Sequence, residues 1–362
     1  MINRISILIL AFFLTNCAAH NQKLAKKLDN FSSTTDSAKI IKYLDKLDKD
    51  KINDIDGSLL RKAIDTDNPE IVNILLTQQN VSVNLKGKDA LPPLGYVITK
   101  EFPNDKTQLN MATSLIEAGA DVNIITTNNQ TLLMLSADHN LPDITRLLID
   151  NGADINAKAS NGETAIHKSK EKVLKILVEN NADIFVLDNN GNTVIHKLYY
   201  IEDIEYLTDK GLDINTTNNK GETVLFNACN SRNCNSSRIE KLIIAGADPN
   251  IKNNESITVA HLALKTLSTD SLKILLKNNA DINIADNTGK TPLHYLAISL
   301  NEVNFDKTEQ IKEVYESAAL LFSAGADPLA KDENGNDPFT IANKIISPKI
   351  QSLKNTYQTA NN

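Results

Sequence analysis

From residue 58 onward, short apolar runs of two kinds alternate with polar stretches, and the pair returns about every 33 residues. The second kind of run has a leucine at a fixed place: Leu115, Leu148, Leu177, Leu207, Leu242, Leu275 and Leu321. Apolar neighbours stand at helical spacing around it, as with Ile144, Leu147 and Leu148, or Leu272, Ile274 and Leu275. Spacing of this kind predicts an amphipathic helix. Four residues after each leucine comes Gly or Asn: Gly119, Gly152, Asn181, Gly211, Gly246, Asn279 and Gly325. These two residue types tolerate the left-handed backbone that ends many helices, so they predict a stop.

The first kind of run opens on threonine: Thr131, Thr164, Thr193, Thr223, Thr258 and Thr291. Threonine caps helix N-termini, and Pro292 sits where its missing N–H costs nothing, so each phrase predicts a helix start. Polar stretches such as "AKASNGE" and "IADNTGK" lie between stop and start and predict tight turns. Start-to-start spacings from Thr131 are 33, 29, 30, 35, 33 and, to Asp337, 46. "SLLRKA" from Ser58 and "PPLGYV" from Pro92 fit the slot less well. The long spacings at 92 to 131 and 291 to 337 predict inserted loops centred on "EFPNDKTQ" and "NEVNFDKTEQ".

Turn, helix, loop, helix and stop, with Thr-Pro-Leu-His and Gly-Ala-Asp phrases, resemble the ankyrin repeat. The resemblance implies an all-α ankyrin-repeat solenoid of stacked helix-turn-helix units joined by β-turns. A lone unit would lose roughly 50 kcal/mol of conformational entropy on ordering, more than two short helices offset by burial. Stacked units cover one another's apolar faces. The expected organisation is a signal segment at 1–16, then a tether with degenerate capping helices at 17–56. The repeat array follows at 57–346 and a polar tail at 347–362.

Composition changes the picture little: 41% of the 362 residues are hydrophobic and 23% charged, as in folded domains. A net charge of -7 without a long basic run argues against a nucleic-acid partner. The N-terminus differs in kind. Arg4 precedes an uncharged apolar run from Ile5 to Leu14, the layout of an export signal and too short to span a bilayer. Leu14-Thr15-Asn16-Cys17 resembles the lipobox of bacterial lipoproteins, which implies lipidation at Cys17, although Asn16 departs from the small residue usual there. Cleavage after Ala19 is the competing outcome. The expected location is the bacterial cell envelope, as an outer-membrane lipoprotein facing the periplasm, or else a soluble periplasmic or secreted protein. Cys229 and Cys234 are five residues apart, which leaves a local disulfide open. Two free thiols are the favoured reading, because disulfide geometry is demanding.

Four histidines, His167, His196, His261 and His294, hold the fourth position of the opening phrase. Equivalent positions on stacked helices lie about 8 to 10 Å apart, too far to share a metal. The resemblance gives these histidines a structural role, tying each turn to its own threonine and to the adjacent unit. Asp121, Asp154, Asp183, Asp213, Asp248, Asp281 and Asp327 read as turn hydrogen-bonders rather than paired acids. No catalytic, metal or cofactor residue is expected, and no phosphate loop or nucleophile elbow occurs. The ankyrin resemblance places protein contacts at the turn tips, here Asn129, Asn161, Asn190, Asn219, Thr288 and Asn334. It adds the residues after the histidine slot, Lys168, Lys197, Asn227, Leu262 and Tyr295. The expected function is a monomeric, non-catalytic scaffold that binds a protein. The alternatives are an inhibitor or immunity protein that blocks an envelope enzyme, or a host-directed effector.

Overall fold

The computed structural model describes residues 26, 58–77, 81–87, 91–229, 234–301 and 308–344. The signal segment with Cys17, the capping pair apart from Lys26, and the tail lie outside the described residues. The chain divides into two compact units, Met1–Asn189 and Asn190–Asn362.

In the first unit the helices come in pairs: α1 (Ser58–Asp65) with α2 (Pro69–Leu76), then α3 (Pro93–Thr99) with α4 (Asp105–Glu117). The pairs α5 (Leu132–Asp138) with α6 (Pro142–Asp150) and α7 (Ala165–Lys168) with α8 (Glu171–Glu179) follow. First helices pack on first helices and second on second, giving two layers. In the second unit a 3-10 turn at Val194–His196 precedes α9 (Ile201–Asp209), and another at Phe226–Ala228 precedes α10 (Ser236–Ile244). Two full pairs follow, α11 (Val259–Lys265) with α12 (Thr269–Lys277) and α13 (Pro292–Ser299) with α14 (Thr308–Ser323), and residues 338–344 after them are helical. Among the described residues there is no strand, only isolated bridges at Ile125–Thr131 and Cys229–Cys234. In each unit the helices stack as in an all-α ankyrin-repeat solenoid.

Local chemistry sets these boundaries. All seven stop residues have positive φ, from 60° at Asn279 to 100° at Gly246. All seven fixed leucines are fully buried at 0% exposure, so the slot is core in every repeat. Each Asp that follows a stop accepts the amide two residues on, from Asn123 into Asp121 (2.9 Å) to Leu329 into Asp327 (2.9 Å). The loop is thereby closed by its own side chain.

Three expectations need correction. The first helix of the Thr193 and Thr223 repeats is a single 3-10 turn. Seven residues separate Thr193 from Ile201, room for one turn and a connection, as in the Thr164 repeat, whose α7 has four residues. In the next repeat the reason is covalent, because Cys229 and Cys234 are joined in a disulfide and are not free thiols. The two cysteines also face each other as an isolated antiparallel bridge, a pairing that spacing alone could not reveal. The extra residues before Thr131 and Asp337 are not simply projecting loops, since α4 has 13 residues and α14 has 16, against 9 in α6, α8 and α12.

The core is shared between neighbours. In the second unit Leu264 and Leu272 of one repeat close a cluster with Leu293, Leu296 and Leu321 of the next. Truncating Leu272 to alanine removes atoms that two repeats share. Leu272→Ala is therefore expected to cost about 2–5 kcal/mol by urea denaturation. A cost below about 1 kcal/mol would show that neighbouring repeats do not form one core.

Candidate binding surface

The four repeated histidines are buried, at 5%, 7%, 0% and 0% exposure for His167, His196, His261 and His294. In each, Nδ1 accepts the backbone N–H of the threonine three residues earlier, at 3.2, 3.2, 3.1 and 3.1 Å. A ring nitrogen that accepts cannot carry the proton, so the neutral ring holds its hydrogen on Nε2. From Nε2, His196 donates to the Glu222 carbonyl (3.1 Å), His261 to Lys290 (3.2 Å) and His294 to Asn336 (3.2 Å). Each of these carbonyls belongs to the following repeat. Burial pushes the His261 pKa down to about 4, against smaller opposing effects of the Lys290 carbonyl and Asp286. Among the described residues no group of His, Cys, Asp and Glu could hold a metal ion.

A second polar system was visible in the sequence but carried no assigned role. The asparagine ending the phrase "GADVN" bridges to the next stop. Asn123 donates to the Gly152 carbonyl (2.9 Å) and accepts the Asp154 amide (2.8 Å). Asn215, Asn250 and Asn283 repeat both bonds in the second unit, with acceptor distances of 2.8, 2.7 and 2.9 Å. Asn84 does the same to Gly119 and Asp121. The signal lay in the quoted phrase itself, yet the partner is about thirty residues away and local reading does not reach it. In the slot of this asparagine stand Phe185 and Leu329, both exposed.

The turn tips form a third system. The Asn189 amide donates to the Asn161 carbonyl (2.9 Å) in the first unit. In the second unit Asn219 donates to Asn190, Asn254 to Lys220, Asn287 to Glu255 and Glu333 to Thr288, at 2.8–2.9 Å. Gly162 shows how close the approach is: its φ is 79°, and a Cβ there would lie 2.8 Å from the Asn189 amide nitrogen. Asn129, Asn161, Asn190, Asn219 and Asn334 are exposed and Thr288 is half-buried. Several of these tips thus spend backbone groups on stacking while keeping a solvent-facing side.

The residues after the histidine slot are more varied. Lys168 is half-buried and paired with Glu163 at 3.4 Å. Lys197 and Asn227 are exposed, and Asn227 donates to the His196 carbonyl (2.6 Å). Leu262 is half-buried. Tyr295 packs its ring edge against His261, with centroids 5.0 Å apart, and donates its hydroxyl to Asp286 (2.9 Å). Burial, then that hydrogen bond, raises the Tyr295 pKa. Burial alone would raise the Asp286 pKa, but the bonds it accepts from Lys290, Thr288 and Tyr295 outweigh it and hold the carboxylate low. Of the candidates, Thr288 and Tyr295 come together, in a cleft of about 480 Å³ whose lining includes Ile257 and Ile298. The arrangement can receive an apolar side chain between polar rims.

A family model of ankyrin repeats matches residues 104–188 and 231–332, together just over half of the chain. A mitochondrial disaggregase from Bos taurus is 28% identical over 44% of this chain and 21% of its own length. A putative ankyrin repeat protein from Rickettsia felis is 32% identical over 38% of this chain and 41% of its own. A putative ankyrin repeat protein from Fowlpox virus is 38% identical over 27% of this chain and 30% of its own. The chain spans less than half the length of each of these relatives.

The buried neutral His261 makes a pH prediction. Its pKa is depressed in the folded chain, so the unfolded chain binds its proton first. The stabilisation is complete above about pH 6.5 and is lost as pH falls through about 4. The stability difference between the chain and its His261→Gln variant should shrink by about 3 kcal/mol from pH 7 to pH 4. A ring titrating near 6.5 by NMR would contradict this. The asparagine bridge makes another: Asn250→Ala removes two inter-repeat bonds and is expected to cost about 1–3 kcal/mol in urea denaturation. No loss would mean that water replaces the bridge without penalty.

Proposed function

The chain belongs to the ankyrin-repeat family, and we propose that it is an exported protein-binding scaffold without catalytic chemistry of its own. Ankyrin repeats generally mediate protein interactions, and the family is generally non-catalytic. One observation carries the reading furthest. The recurring polar residues hold the array together: threonine and histidine cap helices, asparagine bridges repeats and aspartate closes turns. What remains for recognition is the exposed side of the turn tips, together with residues that differ from repeat to repeat, among them those of the Thr288–Tyr295 cleft. Exposed polar residues spread along each unit suit a folded protein better than a metabolite.

Two features support export. The first 16 residues have the layout of a signal that precedes Cys17, and the disulfide at Cys229–Cys234 is chemistry of an oxidising compartment. The scaffold then works at the cell envelope, tethered through lipid on Cys17, as a monomer that uses neither cofactor nor nucleic acid.

Photo-crosslinkers placed at Thr288, Tyr295 and Asn129 in cells test the binding reading. Crosslinks from these positions to one envelope protein are expected, with none from the α12 position Lys277. Crosslinks that ignore position, or a turnover activity that survives purification, would overturn it. Incorporation of a labelled fatty acid into the chain and not into Cys17→Ala is expected for the tether. Equal labelling of both would remove it.

A further inference from the structure

One connection between the two halves of a repeat is unlike the others. After the 3-10 turn at Val194–His196 the chain crosses to α9 through Tyr199 and Tyr200, which are exposed at 68% and 43%. Their rings meet edge to face, with centroids 5.7 Å apart. From α10 of the following repeat, Arg238 lays its guanidinium over the Tyr199 ring at 5.0 Å. It donates to the Leu198 carbonyl (2.7 Å) and to the Tyr199 carbonyl. The guanidinium is partly desolvated, which lowers its pKa, and among the described residues no carboxylate forms an ion pair with it. Lys241, one turn along α10, is exposed and likewise has no ion pair among the described residues.

These side chains line a cleft of about 260 Å³ whose one acidic residue, Glu202, faces two cations. The cleft is held from below. The disulfide closes the loop before α10, the Asn235 amide donates to the Ala228 carbonyl (2.8 Å), and the Asn235 side chain accepts the Arg238 amide (3.0 Å). Arg238 thus starts from a fixed backbone. Tyrosine and arginine are the residue types that dominate binding hot spots, and a charge-assisted bond to a half-desolvated guanidinium is about twice as strong as a neutral one.

We propose that this cleft receives an extended acidic segment of the protein partner. Its carboxylate pairs with Arg238 and Lys241, and a neighbouring apolar side chain lies across Tyr199 and Tyr200. The inference rests on the scaffold reading and names the partner's chemistry, at a place away from the turn tips.

Selection of short random peptides on the full chain, followed by fluorescence anisotropy of the recovered sequences, tests it. Peptides with Asp or Glu beside an apolar residue are expected. Lys241→Glu and Tyr200→Ala should each weaken them about tenfold or more, while Lys241→Arg retains binding. Neither side chain makes a hydrogen bond among the described residues, so both variants should fold, which circular dichroism verifies. Peptides that bind but ignore these variants overturn the acidic cleft and leave the scaffold reading standing. Recovery of no acidic peptide, or binding of phosphatidylglycerol vesicles in its place, also overturns the cleft. The scaffold reading is judged separately, by the crosslinks to a folded partner.

Discussion

Burial of one repeat's apolar face by the next is the constraint on which the remaining structure depends. Leu272 and Leu275 on α12 have no exposed surface, and α14 of the following repeat packs against that helix. Two short helices could not by themselves close such a core. Stability therefore accumulates along each unit as a series of like interfaces, and each interface has little reach beyond its neighbours.

The polar groups obey the same constraint. A stacked backbone leaves amides and carbonyls facing the adjacent repeat, part-buried at the helix starts and exposed at the stops, and both sets find partners. Asparagine bridges satisfy them at the stops, main-chain bonds at the turn tips, and histidine Nε2 at the helix starts. One consequence is functional. The threonine, histidine and aspartate that recur at fixed places are already committed to helix starts and turns, so recognition falls to the solvent-facing side of the tips and to residues that vary. Tyr295 stands between the two roles, because its hydroxyl is bound to Asp286 while part of its ring faces a cleft.

Much of the fold was legible in the sequence because its signals are local. A leucine four residues before Gly or Asn marks a buried position followed by a left-handed residue, and both properties belong to the segment itself. Thr and His three apart likewise specify a capping box within one turn. The asparagine bridges were less legible, since the residue was in view but its partners were a repeat away. The shortened helices after Thr193 and Thr223 depend on where the next helix must begin and on a covalent bond that spacing leaves open. The Tyr199–Arg238 contact spans 39 positions and follows from neither segment alone. The candidate surface was only partly legible for the same reason. The ankyrin resemblance named Thr288 and Tyr295 separately, and folding put them in one cleft.

Removing repeats one at a time from the C-terminal side of the array and measuring each chain by circular dichroism and urea denaturation tests the central claim most directly. Stability should fall by a similar step with each repeat removed, and a peptide of the single repeat 258–289 should show no helix. A single-repeat peptide that keeps its helices and unfolds cooperatively would contradict the account.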